Sequence, residues 1–451
     1  MAIGAGLLLS CCSLFKARIP PYPTGLLFPI EESFSVGYGG EIISFIQRSG
    51  GILYFSTRNG YIFCLDGPGK KILWKFKAQA EFFVAPSLGD KALSINDSAN
   101  TLYRLDFQGR LLWQKSFEDR ITSRLKEYQG VIYLGTEKGD VMALDSSRGA
   151  EIWRFKAGGP ISSGPAFWGS QIIFGCEDGK LYFISSSGKP VGSFNVGARV
   201  EVSPVVDENR LYFGSMARFF YCLDLNNRKP KWKTKISGRA SVEAVVWEKR
   251  LFFLTSNNVL YSLNKRSGEV LWWQALPSHS VYNLEFAGDK IVAASFSSEL
   301  ACFDLKNGKK SGDYEAPGEL KSNALWLDPY LLINLYDSIK QEGELIYLAK
   351  QIKVSLNTSK ISPQKMGDDM TLTASPAGFF RPKFEFYVKA GGQSEVIQKE
   401  SEKDSCVWFP QKEGTYLVGV RVKDEKEKAE AEIPFVIEKK EEPKKKDQEI
   451  K

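Results

Sequence analysis

Leu53–Trp74 (LYFSTRNGYIFCLDGPGKKILW) reads as an apolar strand, a turn, a second apolar strand ending in Leu-Asp, another turn, and a strand ending in Trp. Three further stretches repeat that order: Ile132–Trp153 (IYLGTEKGDVMALDSSRGAEIW), Leu211–Trp232 (LYFGSMARFFYCLDLNNRKPKW) and Leu251–Trp272 (LFFLTSNNVLYSLNKRSGEVLW). Trp74, Trp113, Trp153, Trp232 and Trp272 mark the phase, with gaps of 39, 40, 79 and 40 residues. The doubled gap holds a unit at 172–194 in which Phe194 is expected to replace the Trp. Units at 291–310 and 331–349 keep less of the pattern, the first with Phe303-Asp304 and Gly308, the second with Gly343.

Turn chemistry shares the phase. Gly60, Asn100, Gly139, Gly179, Asn258 and Gly343 stand six residues before the Asp position, and Gly69, Gly109, Gly149, Gly188, Gly268 and Gly308 mark the second hairpin. Gly and Asn tolerate the positive φ that tight hairpins demand. Four short strands recurring every 40 residues or so predict β-propeller blades. Units beginning near 41, 81, 120, 160, 199, 239, 278 and 317 predict eight blades, with seven as the alternative. The segment 33–40 is placed to complete the last blade.

Composition agrees with an all-β chain. The 451 residues include 30 Phe, 18 Tyr, 10 Trp and 40 Gly but only five Met, which favours strands and tight turns over helical bundles. Lys and Arg number 60 against 53 Asp and Glu, with the signs intermixed, so nucleic acid is not an expected partner. The single histidine, His279, excludes zinc sites built from two or three imidazoles. The seven cysteines (11, 12, 64, 176, 222, 302 and 406) form no Cys-x-x-Cys pair, and no Gly-x-Ser-x-Gly elbow, P-loop or His-Glu-x-x-His occurs. Asp66, Asp106, Asp145, Asp224 and Asp304 recur once per unit at a strand end, where Asp accepts backbone N–H bonds. They are read as turn residues, and Cys64, Cys222 and Cys302 as small core residues. His279 is read as a surface residue. No catalytic, cofactor-binding or metal-ligating residue is assigned, and the Trp series is structural.

The Ala/Cys-Leu-Asp-x-x-x-Gly-x-x-x-Trp pattern, as in Ala143-Leu144-Asp145 to Gly149 and Trp153, resembles the pyrroloquinoline-quinone (PQQ)-type propeller repeat. The resemblance implies that each Trp docks between neighbouring blades. It also raises a quinoprotein dehydrogenase, whose cofactor lies over a calcium ion under a disulfide of adjacent cysteines. The only adjacent cysteines, Cys11-Cys12, lie in the N-terminal segment.

That segment (Met1–Ser10, MAIGAGLLLS) is small and apolar, and Leu8-Leu9-Ser10-Cys11 resembles a bacterial lipobox, with Cys11 as the lipidated residue. Acyl chains give stable anchoring, at about 0.8 kcal/mol per buried CH₂. No Lys or Arg precedes the apolar stretch, a departure from the family pattern. Toward the other end, Trp408, Pro410, Gly414, Tyr416, Val420, Val422 and Asp424 form a pattern similar to immunoglobulin-like sandwiches of the triple-tyrosine type. The expected domains are a lipoprotein signal at 1–12, an all-β propeller at 31–357, an Ig-like β-sandwich at 362–437 and a charged disordered tail at 438–451.

Lipobox plus propeller is similar to the BamB-like family of envelope lipoproteins. This implies a non-enzymatic scaffold on the periplasmic side of the outer membrane, with envelope proteins such as a barrel-assembly complex as partners and no cofactor. The alternatives are a polysaccharide- or peptidoglycan-binding propeller and, behind it, the PQQ-dependent dehydrogenase.

Overall fold

The computed structural model describes residues 30–42, 44–276, 284–294, 298–379, 381–425 and 427–439. Cys11, Cys12, His279 and nearly all of the C-terminal tail lie outside them. The chain divides into two compact units; of the described residues, the first holds 32–349 and the second holds 30, 31 and those from 350 onward.

In the first unit the described residues form eight four-stranded antiparallel sheets. Seven are built from consecutive strands, at 47–77, 87–116, 126–156, 166–195, 205–235, 245–275 and 285–315, called here the first to seventh sheets. The eighth combines Leu325–Leu327, Tyr330–Asp337 and Glu342–Lys350 with the N-terminal strand Ile30–Gly39 on its outer edge. A strand from the start of the chain thus completes the last sheet. Tyr38, Ile46, Phe55, Phe63 and Leu65 then share one core with Leu325, Leu332, Leu345 and Tyr347.

The middle strands of each sheet are mostly apolar and buried along nearly their whole length because both faces are covered. Ile62, Cys64 and Tyr54 pack on Leu93, Ile95 and Tyr103 of the next sheet, and the same interlock recurs from sheet to sheet. Third strands carry a register shift just before the Asp position, for example between Ala143 and Leu144 and between Cys222 and Leu223. This bulge sets each Trp opposite the residue two before the Asp, as in Ala143↔Trp153 and Cys64↔Trp74.

Register corrects three expectations. In the fourth sheet Gly192, not Phe194, stands opposite Phe183 in the Trp register, and Phe194 lies two residues beyond it. In the first sheet the left-handed turn residue is Lys70 (φ 53) rather than Gly69. In the eighth it is Gln341 (φ 56), while Gly343 lies within a strand beneath the Tyr38 ring.

The ring does not extend to residue 357. Lys353–Thr358 pairs with Met370–Ala377 in the second unit, and these strands join Ser405–Trp408 in a three-stranded sheet. A five-stranded sheet holds Gln364–Lys365, Lys428–Glu438, Gly414–Lys423, Lys383–Ala390 and Gln393–Ser401, in that order. The two sheets bury one core, with Met370, Leu372 and Trp408 against Phe386, Val418, Val420 and Phe435. Tyr416 packs edge-on against Trp408 at 5.1 Å, and its hydroxyl donates to the Lys412 carbonyl at 2.9 Å.

Candidate interaction site

Each periodic Trp sits on the outer strand of its sheet and reaches the next one. The indole Nε1 of Trp74, Trp113, Trp153, Trp232 and Trp272 donates to the carbonyls of Phe107, Ser146, Ser186, Lys265 and Leu305, at 2.9–3.2 Å and always 33 residues on. The ring covers a turn glycine of that next sheet. A Cβ on Gly149, which has φ +68, would come within 2.9 Å of the Trp113 ring. At Gly109, Gly188, Gly268 and Gly308 the approach would be 2.5–2.6 Å. The Trp–Gly periodicity is therefore one inter-sheet clamp repeated five times.

Where the clamp lacks its Trp, its partner changes too. Gly192 holds the Trp register of the fourth sheet, and Arg228 (φ 57) takes the turn position of the fifth. A Cβ on Gly192 would lie 2.8 Å from an Arg228 guanidinium nitrogen, and that guanidinium stands 4.9 Å over the Phe183 ring. Lys70 holds the same place in the first sheet, with Nζ 4.5–5.5 Å from the rings of Phe34, Tyr330 and Tyr347 of the eighth. Trp over Gly is thus replaced by a long cation folded back over aromatic rings. Sequence reading missed the exchange because Phe194 lies so near the expected place.

The recurrent acids act as turn caps. Asp145 Oδ1 accepts from the backbone N–H groups of Ser147 and Arg148, and Asp304 Oδ1 from those of Lys306 and Asn307. The Ser147 hydroxyl, and those N–H groups after it, hold the Asp145 carboxyl below its ordinary range. Cys64, Cys176, Cys222 and Cys302 are buried free thiols, and Cys406 is a half-buried one.

Inner strands and the segments entering them bring a polar cluster together across the ring. Lys126 of the third sheet and Arg124 before it reach Glu243, which precedes the sixth, at 3.1 and 3.8 Å. Arg124 also lies 4.5 Å over the Phe45 ring, from the segment entering the first sheet. Burial lowers the Arg124 pKa, opposed by the Glu243 charge. Beside this, Arg48 of the first sheet pairs with Glu285 of the seventh at 3.7 Å, and Glu285 accepts from the Trp326 backbone N–H at 3.0 Å. Desolvation raises the Glu285 carboxyl to about 7 despite Arg48 and that N–H. Arg48 and Glu285 stand 237 residues apart in the sequence, so no local pattern signalled them. Among the described residues no group of three or more His, Cys, Asp and Glu is placed to hold a metal ion. The arrangement offers a cross-braced ring whose loops and outer strands face solvent, the geometry of a binding platform.

The family model described as outer membrane protein assembly factor BamB matches residues 39–116, 107–191 and 177–330, which together cover most of the ring. An outer membrane protein assembly factor BamB of Nitrosomonas eutropha is 29% identical over 126 residues, covering 27% of this chain and 31% of that relative. The Yersinia pestis protein of the same name is 23% identical over 266 residues, covering 50% of this chain and 68% of the relative. The crystal structure of BamB from Moraxella catarrhalis superposes with a TM-score of 0.59 at 16% identity, covering 71% of this chain and all of that one. Sequence and fold agree along the ring, and the chain belongs to the family of the outer membrane protein assembly factor BamB.

Proposed function

We propose that this chain is a non-enzymatic scaffold of the bacterial cell envelope. In this reading it is held by lipid at Cys11 on the periplasmic side of the outer membrane, and it serves outer-membrane protein assembly by docking other assembly proteins. The observation that carries the reading is the family match running through the first seven sheets, from 39 to 330. The clamps and the cross-ring ion pairs support it, since they make the ring a stiff frame that holds its loops and outer strands in fixed positions. The second unit, with its shared core and the Tyr416 hydrogen bond, is proposed as an immunoglobulin-like spacer or binding module.

The test is a crosslinked pull-down of the tagged chain from native membranes, with Cys11→Ala as the control. Recovery of an outer-membrane barrel insertase, weakened in the control, is the expected result. Recovery of cell-wall material without a protein partner would replace the scaffold with a glycan-binding propeller, and a cytoplasmic partner would overturn the envelope assignment.

A further inference from the structure

The first and fifth sheets repeat each other more closely than the common pattern requires. Tyr61-Ile-Phe-Cys-Leu-Asp66 faces Lys71-Ile-Leu-Trp-Lys-Phe-Lys77 in one, and Phe219-Phe-Tyr-Cys-Leu-Asp224 faces Lys229-Pro-Lys-Trp-Lys-Thr-Lys235 in the other. Both follow a sheet without the Trp clamp, and both carry a cation, Lys70 or Arg228, at the left-handed turn position. Three sheets lie between them in either direction around the ring.

Each outer strand turns alternate side chains to opposite faces. Trp232 and Thr234 point to the sixth sheet, bonding the carbonyls of Lys265 and Gly268. Lys233 and Lys235 therefore face the groove on the fourth-sheet side. Lys233 Nζ lies 3.9 Å from the Phe219 ring centroid and 5.3 Å from that of Tyr221, which in turn stacks on Phe213 at 4.9 Å. In the first sheet Lys75 and Lys77 stand 5.6 and 4.5 Å over Tyr61, beside Phe63 stacked on Phe55 at 5.2 Å. A cavity of about 440 Å³ opens there, lined by Tyr38, Tyr61, Phe63, Ile72, Trp74 and Lys75 among others.

Charge separates these two grooves from the rest. Lys71, Lys75, Lys77, Lys229, Lys233 and Lys235 are exposed and have no carboxylate partner among the described residues; of this series only Lys231 is paired, to Asp224 at 2.9 Å. Outer-strand cations of the third and seventh sheets are neutralised, and Lys115 of the second donates to the Gly149 carbonyl at 3.0 Å. Arg154 meets Asp140 and Glu151, Lys156 meets Asp140, and Lys310 meets Glu299 and Asp313. Lysine on an edge strand repels indiscriminate strand pairing. The same ladder, repeating every second residue at about 6.6–6.8 Å, matches the side-chain repeat of an extended chain bearing acids at alternate positions. Each outer strand is also a free backbone edge, which a peptide can use and a lipid headgroup cannot.

We propose that the outer strands 71–77 and 229–235 are twin docking edges for acidic, extended segments of a partner polypeptide, which adds as a further strand with its carboxylates on the lysine ladder. Two equivalent grooves on opposite sides of one ring let a single chain engage two segments at once. This rests on the reading of the chain as a protein-binding scaffold and names the chemistry of what it binds.

The test is fluorescence anisotropy and calorimetry of the full chain with a short labelled peptide of alternating Glu and Val. The expected result is two peptides bound per chain, released as salt approaches 1 M and the Debye length falls to about 3 Å. Lys75→Glu/Lys77→Glu and Lys233→Glu/Lys235→Glu each halve the bound peptide, and the combination abolishes it. Lys→Gln versions weaken the same sites without reversing charge, which guards against a misfolded reversal variant. Lys138→Glu/Lys306→Glu changes net charge equally outside the grooves and leaves binding intact. The proposal is overturned if the peptide does not bind the unmodified chain, if the control pair is as damaging as the groove pairs, or if the chain binds anionic vesicles but not the peptide. Because the peptide assay uses no assembly complex, its failure is distinguishable from failure of the pull-down.

Discussion

Transplanting the exchanged clamp is the sharpest test of how the ring is held. Trp232 reaches from the fifth sheet to the sixth, donating to the Lys265 carbonyl at 3.2 Å with its ring over Gly268 and 6.0–6.4 Å from the Tyr212 and Phe220 rings. Trp232→Gly removes that bond and a half-buried indole, which costs about 3 kcal/mol. Gly268→Arg alone keeps the ring in place, so the new Cβ would meet it at 2.5 Å, and overpacking costs about 2 kcal/mol. Left-handed backbone is not itself prohibitive for the new residue, because Arg228 adopts φ 57 at the same turn position. Independent effects would sum to about 5 kcal/mol. If Gly192 and Arg228 are a real replacement for Trp over Gly, the double variant Trp232→Gly/Gly268→Arg, with its cation over the Tyr212 and Phe220 rings, instead loses about 2 kcal/mol, a coupling of about 3 kcal/mol. Urea titration followed by far-ultraviolet circular dichroism measures the three variants against the unmodified chain. A double variant within about 0.5 kcal/mol of the simple sum would refute the exchange.

Other consequences can be checked on the same material. Glu285 has a raised carboxyl, about 7, so between its unfolded value near 4.5 and pH 7 the folded state binds the extra proton. Stability therefore falls as pH rises through that window, by up to about 3 kcal/mol, and Glu285→Gln flattens the fall in melting temperature. The Arg104–Glu127 pair is buried, with side chains 4% and 7% exposed and 2.6 Å between charges. Glu127→Gln strands the guanidinium and costs about 3–5 kcal/mol, whereas Arg104→Met/Glu127→Met loses much less in denaturant titration. Burial pushes the thiols of Cys64, Cys222 and Cys406 up to about 11 and those of Cys176 and Cys302 to about 12. A disulfide reagent at pH 8 is therefore expected to label none of the five in a soluble chain beginning at Ser13, and all five after unfolding.

The repeat was legible because its signal is a contact between neighbours: an indole and a glycine must keep a fixed separation for each ring to cover the next turn. The same logic explains the misreadings. The fourth-sheet hairpin from Ser185 to Gly188 is one residue shorter than that from Asp145 to Gly149, so Phe194 appeared where Gly192 belongs. Gly69 stood beside the true turn residue, Lys70, in a stretch with two glycines. Strand Lys353–Thr358 carried no marker of which unit it joins, since an alternating apolar strand fits either sheet. The Arg124–Lys126–Glu243 cluster depends on ring closure and left no trace in local spacing. The lysine ladders, by contrast, stand in the sequence 158 residues apart, and become meaningful only once their neighbours are seen to lack carboxylates.

A scaffold role in outer-membrane protein assembly is tested by deleting the chain from cells that make it. The amount of folded, heat-modifiable outer-membrane barrel protein is then measured, with restoration by the unmodified chain and by Cys11→Ala. The scaffold role predicts fewer folded barrels on deletion, full recovery with the unmodified chain and weaker recovery with Cys11→Ala. Unchanged barrel folding in the deleted cells would contradict it.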